Sequence, residues 1–177
     1  MRLSLGHSIT GRWITRKGEP VAEGWVRFVP FGREPSGFPM RQPGVRTDGQ
    51  GRFTLEGLPE EEGLLLAREA KGSVAVAVVK PPLAQEVSLV ADLAGAVVVG
   101  GDVRCREAFV ESRWGRLSSA ALVSLGALGK VPAAGKGGVL FLPPGRYRFG
   151  CWDDEDKECC WTRPFSVFSG EVVTASP

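Results

Sequence analysis

Val45-Arg-Thr-Asp-Gly-Gln-Gly-Arg-Phe-Thr-Leu-Glu-Gly-Leu-Pro59 reads as a turn, a short strand and a second turn. Asp48 and Gly49 are a turn dipeptide, because Gly accepts positive φ and Asp bonds its own backbone. From Phe53 the residues alternate, with Phe53 and Leu55 on one side and Arg52, Thr54 and Glu56 on the other. A period of two marks a half-buried strand. Gly57-Leu58-Pro59 stops it, since Pro cannot donate to a sheet ladder. Turn, strand, turn is the grammar of an antiparallel β-sandwich.

The flanking sequence repeats that grammar. Residues 9–14 form a first strand, with Ile9, Gly11 and Trp13 alternating against Thr10, Arg12 and Ile14. Residues 16–20 turn, and a second strand lies within 21–29, where Trp25, Arg27 and Val29 alternate with Val26 and Phe28. Residues 30–44, rich in Pro and Gly, form a long loop. After a charged turn at Glu60-Glu61-Glu62, residues 64–70 and 72–79 are strands. A helix over 64–71 competes, because Leu, Ala, Arg and Glu are good helix formers. The tight Gly and Pro boundaries favour strand. Pro81-Pro82 breaks the chain before a closing strand at 86–91.

Composition agrees with many turns and no long helices. Gly (24) and Pro (13) make up about a fifth of the 177 residues, against an average near 12%. The 22 Lys and Arg and 20 Asp and Glu give +2, interspersed and without a basic run, so nucleic acid has no electrostatic footprint here. The longest apolar stretch, 72–82, is too short to span a bilayer. The first ten residues lack the apolar core of a secretory signal.

Ile9-Thr-Gly-Arg, Gly18-Glu-Pro-Val21, Gly24-Trp-Val-Arg-Phe28, Thr47-Asp-Gly-Gln-Gly-Arg-Phe53 and Gly57-Leu-Pro59 together resemble the carboxypeptidase regulatory-like domain, a transthyretin-like (prealbumin-like) β-sandwich. The match is clearest over residues 7–92. It departs where the family often continues its Leu-Pro with Pro-Gly-x-Tyr, since residues 60–63 intervene. The second half echoes the first. Residues 139–149 read as strand, turn, strand, and Leu142-Pro-Pro-Gly-Arg-Tyr147 carries the Leu-Pro-Pro-Gly-x-Tyr form. Residues 97–103, 107–114 and 122–125 are further strand candidates, and 165–175 closes the unit around a Ser169-Gly170 turn. The expected architecture is all-β, two tandem antiparallel β-sandwiches of the transthyretin-like or Ig-like kind. They occupy 1–93 and 94–177, the second a diverged copy.

Cys151-Trp-Asp-Asp-Glu-Asp-Lys-Glu-Cys159-Cys160-Trp161 reads as a hairpin with an acidic tip. A six-residue loop at 153–158 sets Trp152 opposite Cys159 and Cys151 opposite Cys160. Directly opposed residues have Cβ atoms about 4.5–5.5 Å apart, within disulfide reach. Cys151–Cys160 is therefore the first disulfide candidate and Cys151–Cys159 the second, while a register change or a bulge near Pro164 exchanges them. Free buried thiols are the alternative in a reducing compartment. Asp153, Asp154, Asp156 and Glu158 offer oxygens to Ca²⁺, although the loop lacks the D-x-D-x-D-G spacing and contains Lys157; a charged tip that blunts edge pairing competes with that role. Cys105, Cys151, Cys159 and Cys160 include no CxxC, which argues against zinc.

The single His (His7) leaves catalysis poorly equipped. No G-x-S-x-G elbow occurs, and the family's zinc peptidases need two His ligands. The transthyretin-like hydrolases of urate breakdown depend on several His and a C-terminal Tyr-Arg-Gly-Ser, neither of which appears. The expected role is non-catalytic and cofactor-free: a binding or structural module that engages protein partners, as the resemblance implies for a cell-envelope or secreted assembly. The missing signal segment points instead to the cytoplasm, or to a sequence that is a piece of a longer protein. The alternative is carbohydrate binding through Trp13, Trp25, Trp152 and Trp161 as exposed stacking surfaces, with Trp13 and Trp25 as cross-strand neighbours. Core packing is the competing account of each Trp.

Overall fold

The computed structural model describes residues 6–31, 44–99, 107–118, 138–152, 158–159 and 162–175. All regular structure among them is β-strand, in two compact units, Met1–Asp92 and Leu93–Pro177. The candidate strand at 122–125 lies outside the described residues.

In the first unit the strands are β1 (His7–Ile14), β2 (Trp25–Pro30), β3 (Val45–Arg46), β4 (Arg52–Leu58), β5 (Gly63–Arg68), β6 (Ser73–Val79), β7 (Val87–Val90) and the short β8 (Asp92–Leu93) at the junction. They form two sheets, β4-β1-β7 and β3-β2-β5-β6-β8. One core joins them. Ile9, Trp13, Phe53, Leu55 and Leu89 come from the first sheet, and Val26, Phe28, Leu65, Ala67, Ala75 and Val79 from the second. Two sheets facing each other across a shared apolar layer are a β-sandwich. On β5, Leu64 and Leu66 are buried as well as Leu65 and Ala67. Burial on both faces is why that segment reads as a continuous apolar run, and the competing helix does not form.

One local reading changes. In the turn before β4, Gly51 rather than Gly49 takes the positive φ, at 74°. Asp48 Oδ1 accepts the N–H groups of Gln50 and Arg52 at 2.9 and 2.8 Å, and the Gly51 N–H closes onto the Asp48 carbonyl at 2.9 Å. β4 stops at Leu58, before Pro59, as the sequence predicts, and within its last pairs lies Gly57 at φ 71°. It sits at an irregularity where the β1 pairing passes from Ile9↔Leu55 to His7↔Leu58, a bulge of the kind Gly permits.

In the second unit the strands are β9 (Gly95–Val99), β10 (Glu107–Ser112), β11 (Gly115–Ser118), β12 (Gly138–Leu142), β13 (Gly145–Trp152), β14 (Glu158–Cys159), β15 (Phe165–Val167) and β16 (Val172–Ala175). The strand order matches that of the first unit. β9 lies between antiparallel β12 and parallel β16, as β1 lies between antiparallel β4 and parallel β7. β10 pairs β11 and β13, as β2 pairs β3 and β5. β14 and β15 line the far edge of β13, where β6 lines β5. The sheets are antiparallel except for the β1–β7 and β9–β16 pairs, which are parallel because the last strand of each unit returns beside the first after crossing the sandwich.

Candidate interaction surface

Trp13 and Trp25 have opposite fates. Trp13 is fully buried between the sheets of the first unit, and a Cβ at Gly24 would run into its ring. It is a core residue, which corrects its candidacy as a ligand surface. Its Nε1 has no hydrogen-bond partner. Trp13 lies on β1 and Trp25 on β2, in different sheets, so the two are not cross-strand neighbours.

Trp25 is 43% exposed. Its neighbour across the β2–β3 ladder is Arg46, whose guanidinium lies 5.0 Å from the centre of the Trp25 rings. Arg46 Nη1 also donates to Glu23 Oε2 at 2.8 Å. The carboxylate and the aromatic face thus hold one cation from two sides. Glu23 carries the left-handed φ of 59° that few non-glycine residues adopt.

Buried Thr47 explains that conformation. Its Oγ1 accepts the Gly24 N–H at 2.9 Å and donates to the Val21 carbonyl at 2.7 Å. Its backbone N–H reaches the Gly24 carbonyl at 2.9 Å, and its carbonyl receives the Glu23 N–H at 3.1 Å. Thr47 therefore stitches the 21–24 segment to β3 and sets Glu23 beside Arg46. Neither Glu23 nor Arg46 was singled out from the sequence. They stand 23 residues apart, and only the β2–β3 pairing joins them.

In the second unit Tyr147 is the buried polar anchor. Its ring centre lies 6.4 Å from that of Trp114 and 6.2 Å from that of Phe165. Burial pushes the phenol well above its ordinary pKa, against a smaller opposing effect of the Arg113 charge.

Backbone pairing sets Cys151 opposite Cys159 and Trp152 opposite Glu158. The expected register, with Trp152 opposite Cys159, is thereby corrected by one residue. The reason lies along the edge: from Tyr147↔Phe165 to Cys151↔Cys159, four steps on β13 are matched by six on the opposing chain, which contains Pro164. Asp153, Asp154, Asp156, Cys160 and Trp161 lie outside the described residues. His7 Nε2 is 3.7 Å from Glu60 Oε2. Among the described residues no group of three or more His, Cys, Asp or Glu could hold a metal ion, and no helix is long and apolar enough to cross a membrane.

No protein-family model and no curated protein matches the chain. Among solved structures it is similar to the TIE protein of Bacillus anthracis (13% identity, TM-score 0.30, covering 98% of this chain and 33% of that one). A streptococcal ancillary pilin gives 13% identity and a TM-score of 0.36, covering 99% of this chain and 63% of the other. The minor pilin GBS52 of Streptococcus agalactiae gives 13% and 0.33, over 97% and 94%. The chain thus spans a third of the first of these and under two thirds of the second.

Proposed function

We propose that the chain is a non-catalytic binding or structural module that engages a protein partner, with Trp25 at the centre of the contact. The observation that carries this is the Glu23–Arg46–Trp25 cluster. A large aromatic is left 43% exposed beside a guanidinium already fixed by a carboxylate at 2.8 Å. Trp and Arg dominate binding energy at protein interfaces, and holding the Arg side chain before contact lowers the ordering cost of association. The matching strand order of the two units supports two tandem domains, 1–93 and 94–177, of the carboxypeptidase regulatory-like kind, and a cell-envelope assembly is the setting that goes with that resemblance.

The test compares the full chain with Trp25→Ala and Arg46→Ala. Each protein is immobilised and challenged with envelope and soluble fractions of its host, and captured proteins are identified by mass spectrometry. Trp25→Ala is expected to lose specific captures while unfolding within about 1 kcal/mol of the wild type, as for a half-exposed surface position. Identical captures by wild type and Trp25→Ala would sink the proposal. Binding on a glycan array that Trp25→Ala abolishes would favour carbohydrate through the same ring.

A further inference from the structure

The outer face of the β4-β1-β7 sheet carries a charge arrangement that folding does not explain. Arg12 on β1 lies directly opposite Arg52 on β4. Both are exposed, on the face away from Trp13 and Phe53. Like charges directly opposed across an antiparallel pair are destabilising. Arg16 and Arg46 of this unit have acidic partners, Asp92 and Glu23. Among the described residues neither Arg12 nor Arg52 forms an ion pair. The Arg12 Nε instead donates to the Gln50 carbonyl at 3.0 Å, which orients the guanidinium and leaves its terminal nitrogens available. In the turn before β4, Asp48 spends Oδ1 on backbone N–H groups. Exposed hydroxyls surround the pair. Thr10 and Thr54 are opposed one row along the same face, and Ser88 on β7 is the other neighbour of Arg12.

We infer that this face binds an acidic peptide segment, whose carboxylates bridge Arg12 and Arg52 while Thr10, Thr54 and Ser88 offer further hydrogen bonds. Two guanidiniums side by side present the forked donors that carboxylates accept. A bound carboxylate also turns the like-charge repulsion into attraction. Two arginines on a chain of net charge +2 fall short of the basic stripe that a polynucleotide needs, so a carboxylate-bearing peptide is the better fit. This surface is on the sheet opposite Trp25, and either proposal can fail without the other.

The test is fluorescence anisotropy with a labelled oligoglutamate peptide and the full chain at low ionic strength. The wild type is expected to bind and to weaken as salt is added. Arg12→Gln/Arg52→Gln should bind roughly tenfold more weakly, on the scale of two exposed charge pairs. Lys71→Gln/Arg163→Gln removes the same charge from exposed positions elsewhere and should stay within about twofold. Either single variant, Arg12→Gln or Arg52→Gln, should also raise the Tm of the first unit by about 2 °C through relief of repulsion. Equal loss in the two double variants would overturn the proposal, as would no binding by folded wild type, tighter binding of a DNA oligonucleotide of equal charge, or a lowered Tm in both single variants.

Discussion

The phenolic hydroxyl of Tyr147 donates to the backbone carbonyl of Pro143 at 2.6 Å, closing the Pro143–Gly145 corner at the head of β13. Both residues are buried. This is the tyrosine-corner arrangement of β-sandwiches, and it gives the Leu142-Pro-Pro-Gly-Arg-Tyr147 motif its physical content. Tyr147→Phe leaves the ring in place and the Pro143 carbonyl without its donor. The second unit is expected to lose roughly 1–2 kcal/mol, read as a lower urea midpoint at unchanged slope. Tyr147 is the sole tyrosine, so phenolate absorbance reports it alone. Its folded pKa is raised, so the unfolded chain ionises first. The associated stability is intact below pH 10.0, the ordinary phenol value, and is lost as pH climbs above it. Phenolate absorbance should appear only with unfolding, and a phenol that titrates near its ordinary value in the folded protein would refute the buried corner.

Thr47 makes a separate prediction for the first unit. Thr47→Val keeps the shape and removes Oγ1, leaving the Gly24 N–H and the Val21 carbonyl without their partner. The expected cost is about 1–3 kcal/mol, and Thr47→Ser should recover most of it. Because Thr47 also sets Glu23 beside Arg46, Trp25 fluorescence is expected to shift in Thr47→Val. Equal stability of Thr47→Val and wild type would remove Thr47 from this role.

The corrected hairpin register yields a third prediction. Oxidation by glutathione disulfide, releasing two glutathione thiols per bridge, is expected to link Cys151 to Cys159, the residue opposite it in the ladder. Non-reducing peptide mapping of Cys159→Ser and Cys160→Ser decides between partners. A bridge that survives Cys159→Ser and vanishes in Cys160→Ser would restore the Cys151–Cys160 pairing.

Much of this architecture was legible along the chain. Phe53 and Leu55 alternating with Arg52, Thr54 and Glu56 placed β4 and its inward face, and 139–149 read directly as β12, a turn and β13. The Glu23–Arg46–Trp25 cluster was only half legible. Trp25 announced itself as an aromatic on a strand, whereas Glu23 and Arg46 looked like ordinary surface charges. Their meeting depends on Thr47 hydrogen-bonding across 23 and 26 residues, which no local pattern encodes. Arg12 and Arg52 escaped notice for the same reason: each is a plausible solvent-side strand residue, and only the β1–β4 register makes them a pair.

The sequence by itself determined that this is an all-β chain of short strands, because alternation of apolar and polar residues and the turn chemistry of Gly, Pro and Asp act over a few neighbouring residues. Tertiary structure alone decided that Trp13 is core and Trp25 surface, that β7 and β16 run parallel to β1 and β9, and that the backbone ladder pairs Cys151 with Cys159. Those outcomes rest on which strands meet and in what register. A single inserted residue shifts a register and exchanges the faces of a strand, so such relations are fixed by long-range pairing and packing.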